Sequence, residues 1–301
     1  MKDLCTLGAA AILTVALIAL CGCSSLHHTE YYPDGGIFVT GQHVEVDGKR
    51  LRTGVWREYW PNGELRTQVT YALGQHVGAV VTFDEEGRLQ SVASVSRDAQ
   101  MSAAIRWYPN GRIALLTEYE NGVANGMHFS WDDSGQVIAR GQYRNDEAHG
   151  PWLTREDGQW ISESFVDGKV FGTREVRDAS GVLRLRGSSL ADQPVGTWSW
   201  YYPDGSMQGE TEFLAGRNHG RFRTWWPNGR QHLRGWMFMG EPSGDWRETS
   251  EDGRRETRAA YIYGRLYRGA SFYVDGKLVC TERRPFLGIG TFKELRVNEV
   301  R

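Results

Sequence analysis

Short runs rich in aromatic and β-branched residues, with polar residues interspersed, recur along this chain and are separated by turn strings. Val55-Trp56-Arg57-Glu58-Tyr59-Trp60 is followed by Pro61-Asn62-Gly63 and then by Glu64-Leu65-Arg66-Thr67-Gln68-Val69-Thr70-Tyr71. Thr197-Trp198-Ser199-Trp200-Tyr201-Tyr202 and Pro203-Asp204-Gly205 repeat the arrangement. A period of two, aromatic and β-branched enrichment, and Asn-Gly or Asp-Gly between two runs predict strand, tight turn, strand. Each unit therefore reads as a β-hairpin.

The turn string returns at Gly35, Gly63, Gly87, Gly111, Gly135, Gly158, Gly181, Gly205, Gly229, Gly253 and Gly276, and from Gly63 onward the spacing is 24 or 23 residues. Such self-similarity marks a repeat architecture, in which one unit cannot bury its apolar side alone and stacks on its neighbours. A further glycine stands eight or nine residues before most of these, at Gly54, Gly78, Gly126, Gly150, Gly172, Gly196, Gly220 and Gly244, with Ser102 in the vacant slot. The reading places a second turn there. The expected fold is all-β: an elongated single-sheet solenoid of about ten stacked antiparallel hairpins with a 24-residue period.

Two columns are expected to form its core. Tyr59, Phe83, Trp107, Trp131, Tyr201 and Trp225 lie five residues past the first glycine, and Tyr71, Val95, Tyr119, Tyr143, Phe213, Met237 and Tyr261 lie seventeen past it. Strand alternation puts Trp56, Trp60, Trp152, Trp198, Trp200, Tyr202, Trp226 and Trp246 on the opposite face, together with Phe222. That second face is either covered by packing or a wet aromatic surface for a partner, and these eight residues are the candidate partner-binding aromatics.

The strings Gly54 to Gly63 and Gly196 to Gly205 resemble MORN-type repeats of the bacterial variant, G-x-W-x-x-Y-x-x-N-G. The resemblance covers about Gly54 to Gly276, with a diverged copy at Tyr31 to Gly41. It implies an elongated sheet of hairpins and a kinship with antitoxin-like proteins. The copies at Gly150 and Gly172 lack the fifth-position aromatic, so a bend or break in the sheet is expected there.

Composition changes the picture at the N-terminus. Leu4 to Leu20 is an apolar run behind Lys2, as in a secretory signal, and Leu20-Cys21-Gly22-Cys23-Ser24 resembles a bacterial lipobox. Cys23, preceded by the small Gly22, is the expected lipid attachment site. Residues 1–22 read as a lipoprotein signal peptide, 23–53 as anchor, linker and diverged first repeat, 54–280 as hairpin repeats and 281–301 as a C-terminal cap over the last strand edge. Acyl chains would hold the protein at a membrane without a spanning segment. Ser24 in the following position resembles sorting to the outer membrane, facing the periplasm.

Charge is close to balanced, with 35 Lys and Arg against 37 Asp and Glu, which argues against nucleic acid as a partner. Export, acylation of Cys23 and removal of Cys5 and Cys21 leave Cys280 alone, read as a packed thiol. No metalloprotease, redox, hydrolase or phosphate-loop string occurs, and His76, His149 and His219 are too far apart for shared ligation. No enzyme and no cofactor is expected. The expected function is protein binding from a membrane anchor; a glycan- or peptidoglycan-binding role, with tryptophans stacked on sugar rings, is the alternative, and recognition of lipid head groups by the repeats stands third.

Overall fold

A computed structural model describes residues 26–95 and 101–282. Cys23, the predicted signal peptide and nearly all of the predicted cap lie outside them. Within them the chain forms 23 β-strands, from Leu26–Tyr31 to Lys277–Glu282. Strands consecutive in sequence pair antiparallel throughout, so the sheet is one uninterrupted meander. Gln75–His76 and Gly78–Phe83 both pair with Leu65–Ala72 and act as one interrupted strand. At about 4.8 Å per strand the sheet extends on the order of 100 Å in the pairing direction. No helix among the described residues is long and apolar enough to cross a membrane.

The pairing runs without a gap through the divergent copies: Glu147–Glu156, Gln159–Val166, Lys169–Arg177 and Leu183–Leu190 pair each with the next, interrupted only by local register shifts at Ser162/Phe165 and Val176/Arg177. The expected break is absent. Ladder bonds come from backbone, so loss of an outward aromatic at position five leaves them intact.

The second expected turn is displaced. Gly54, Gly126, Gly196 and Gly220 lie inside strands, and the true turns come earlier, at Asp47-Gly48, Asn121-Gly122, Ala191-Asp192 and Ala215-Gly216, where both residues have positive φ. These are two-residue hairpin turns of the mirror-image type. The glycines read as turns serve bulges instead. Gly220, at φ 119°, stands where a Cβ would strike the Glu212 side chain, whose Oε2 accepts the Arg221 N–H at 3.0 Å. Both a bulge and a turn call for positive φ, so glycine alone does not tell them apart.

The two sets of turns are tied to adjoining hairpins. Asn62 Nδ2 donates to the Glu85 carbonyl at 2.7 Å, and Asn110 and Asn228 repeat the bond to Asp133 and Glu251. On the other margin Gly74, Gly168, Gly216, Gly240 and Gly264 donate backbone N–H groups to the preceding hairpin. Turn backbone that would otherwise depend on water thus finds protein partners.

Candidate interaction face

Residues paired across an antiparallel ladder share a face, so the register sorts the side chains into two sets. Trp56, Trp152, Trp198 and Trp246 are on one face and retain only 4, 8, 2 and 2% exposure. Each indole lies flat on a glycine of the preceding strand, at Gly41, Gly141, Gly187 and Gly235, where a methyl group would overlap the ring. Each indole N–H reaches a backbone carbonyl: Gln42 from Trp56, Gln142 from Trp152, Ser188 from Trp198 and Ser243 from Trp246. These four candidates are packed and hydrogen-bonded, with almost no ring surface left for a ligand.

The slot they fill changes in volume along the sheet, and its partner on the preceding strand changes in the opposite sense. Phe222 sits across from Thr211, and His128 across from Thr117. Only the largest side chain demands glycine beneath it. In one slot, between Trp152 and Trp198, the pair is ionic: Arg174 Nη1 lies 3.7 Å from Glu163 Oε2. Burial pushes the Glu163 carboxyl above its ordinary range, Arg174 acting against that shift. Among the described residues Glu163 Oε2 and Arg174 Nε find no hydrogen-bond partner.

The seventeenth-position column belongs to this same tryptophan face. Tyr71, Tyr143, Phe213, Met237 and Tyr261 stand directly opposite the bulge glycines Gly54, Gly126, Gly196, Gly220 and Gly244. Tyr143 meets the Trp152 ring edge-on at a centroid distance of 5.1 Å, and Phe213 meets Trp198 at 6.1 Å. The fifth-position column lies on the other face, half-buried, with Phe129 stacked on Trp131 and Arg223 over Trp225. The expected division, both columns against the tryptophans, is therefore corrected. Counting from the glycine, positions two and seventeen meet across the hairpin, while five has the opposite parity to two.

Trp60, Tyr202 and Trp226 occupy the entry to the turns. Trp60 Nε1 donates to the Phe83 carbonyl at 3.2 Å, Tyr202 Oη to Trp225 at 2.8 Å and Trp226 Nε1 to Thr249 at 2.8 Å, each one hairpin onward. Where this position is Asp132 or Asp178, the carboxylate instead closes its own turn. Bonds from the Ser134 hydroxyl and the Gln136 N–H hold the Asp132 carboxyl below its usual range, and the Ser180 hydroxyl does so for Asp178 despite some desolvation. Trp200, the last candidate, is half-buried over Gly209 and packs against both apolar clusters of the tryptophan face.

The opposite face is the open one. Its central row runs through directly paired residues: Val81, Val92, Ile105, Leu116 and Phe129 in the first half, Glu210, Arg223, Arg234, Arg247 and Arg258 in the second. Of the twelve tryptophans only Trp236, on this face, is exposed, at 44%. The repeat columns do not single it out. It sits between them, on the strand after a bulge, and its one signal is a large apolar residue out of phase with Leu233 and Met237.

Cys280, expected to be packed, is exposed on the last described strand. Among the described residues no group of three or more His, Cys, Asp or Glu is placed to hold a metal ion.

Residues 52–72 and 194–215 match the family model described as a MORN repeat variant. Each match spans one complete unit, the bulged strand, its turn and the returning strand. A comparison with curated proteins gave no match.

Proposed function

We propose that this chain is a lipid-anchored protein of the bacterial envelope, held through Cys23 at the outer membrane facing the periplasm, whose sheet binds a protein partner on the face opposite the packed tryptophans. The observation that carries this reading is the asymmetry of the two faces. One is consumed by Trp-on-Gly packing, and the other presents a long row of apolar and arginine side chains. Repeat sheets of this length offer extended surface in place of a pocket, which suits recognition of a macromolecule. In the antitoxin-like form of the reading, that partner is a toxin entering the envelope.

The glycan alternative loses its main support, because sugar stacking needs exposed rings and Trp56, Trp152, Trp198 and Trp246 are buried. Crosslinking of the native lipoprotein in intact cells, with a Cys23→Ala chain as control, tests the proposal. A single stoichiometric protein recovered from the acylated form is the expected result. Recovery of cell-wall fragments alone, or of nothing, would overturn it, and labelled palmitate that fails to enter the protein would remove the anchor.

A further inference from the structure

We infer that the arginine row around Trp236 is the docking surface for an acidic protein segment that also carries apolar side chains. This inference rests on the partner-binding reading above and deepens it.

Arg223 pairs directly with Arg234, Arg234 with Arg247, and Arg247 with Arg258. Four guanidinium side chains thus stand in register on four successive strands, on one face. Like charges directly opposite in a sheet are destabilising unless something neutralises them. Among the described residues carboxylates reach three of the four: Glu210 pairs with Arg223, while Glu256 serves both Arg247, at 3.6 Å, and Arg258. No carboxylate among the described residues pairs with Arg234. Its strand, Gln231–Phe238, contains no acidic residue at all.

The same strand carries the exposed indole. Trp236 lies two residues beyond Arg234 on the same face and pairs directly with Arg221, which Glu212 approaches at 3.8 Å. Phe238 follows on that face at 39% exposure, in edge-on contact with the still more exposed Tyr263 at 5.3 Å. Two further carboxylates of this face stand nearby, both on the next strand: Asp245, paired with Ala260, and Glu241, paired directly with Phe238. Unneutralised arginine beside exposed Trp and Tyr is the residue mixture that dominates binding energy in protein interfaces. Charge complementarity fixes the occupant as acidic, and the rings call for apolar side chains among its carboxylates. An anionic bilayer would satisfy the arginines, but it is the competing outcome of the test, since the anchor residue Cys23 precedes the first strand at the other end of the meander.

The test uses the detergent-solubilised full chain and a fluorescent peptide of alternating Glu and Leu, with a Lys and Leu peptide and phosphatidylglycerol vesicles as comparisons. Binding of the acidic peptide, weakened about tenfold by Arg234→Glu and by Trp236→Ala and weakened by salt, is expected. Arg57→Glu, far along the same face, should leave it unchanged. Both variants replace exposed side chains, and unchanged melting would confirm that they fold. Equal binding of the two peptides, indifference to Arg234→Glu and Trp236→Ala, or capture of vesicles in preference to the peptide would overturn the assignment. In intact cells, recovery of the crosslinked partner at wild-type yield by the Trp236→Ala chain would defeat this surface while leaving the partner-binding reading in place; absence of any partner for the wild-type chain would defeat both.

Discussion

The indole of Trp198 rests on the backbone of Gly187, so that a single methyl group at position 187 would overlap Cδ2 and Cε2 of the ring. Trp56 on Gly41, Trp152 on Gly141 and Trp246 on Gly235 repeat the relationship. A face that looks from sequence like a row of available aromatics is thereby converted into the core of a one-layer protein.

Gly187→Ala is expected to destabilise the protein by about 2–3 kcal/mol, the usual cost of overpacking a closed site. The neighbouring slots indicate the remedy, because Thr211 accommodates Phe222. Adding Trp198→Phe to Gly187→Thr should recover at least half of the loss seen for Gly187→Thr alone. A double-mutant cycle in urea reads the coupling, and strict additivity of the two changes would refute slot complementarity.

The Glu163–Arg174 pair makes a prediction with a defined sign. Because burial raises the folded-state pKa of Glu163, the folded chain binds more protons than the unfolded one over the interval from the ordinary glutamate pKa, about 4.3, up to the raised value. Its contribution to stability is greatest below that interval and is lost as pH rises through it. Glu163→Thr with Arg174→Phe, which copies the Thr211 and Phe222 slot, should flatten this dependence and match or exceed wild-type stability at neutral pH by about 1 kcal/mol. Arg174→Ala alone should be destabilising at neutral pH. Urea titrations across the acid range distinguish these cases.

The turn aspartates act in the opposite sense. Asp132 and Asp178 are held below the ordinary carboxylate range, so the stability they add is present above about pH 3.9 and disappears as pH falls through their lowered values. Asp132→Ala should therefore weaken the protein at neutral pH and make no difference in strong acid. Equal destabilisation at both extremes would show that the residue acts by its shape and not by its charge.

Trp60→Phe removes the indole donor to the Phe83 carbonyl while keeping most of the ring. The expected loss is about 1 kcal/mol, concentrated where one hairpin meets the next. Hydrogen exchange should quicken in Gly78–Phe83 and stay unchanged in distant strands such as Arg217–Trp225. Uniform acceleration throughout would contradict a local tie.

Much of the architecture is legible in the chain. The Pro-Asn-Gly and Asp-Gly strings mark their turns, and period-two alternation marks the strands, since both signals are local. The alternate turns are harder to see, because Leu73-Gly74, Ala215-Gly216 and Met239-Gly240 begin with apolar residues that read as strand. Which face is packed is not legible either. Trp198 stands out in the sequence as a candidate and Trp236 does not, yet Trp236 is the exposed one, and what separates them is a glycine eleven residues before Trp198 that a ring can cover. For Arg174, the complementary residue is Glu163 and no glycine is involved, a relationship visible only once register has placed the two together.

Among the described residues the meander has no crossover, and nearly every tie runs to the hairpin immediately before or after. A chain delivered N-terminus first would therefore meet each new strand's partner already in place, and the edge left by one hairpin is the template for the next. The order of synthesis is the order of assembly, and at no stage must a finished part of the sheet reopen to admit a later one.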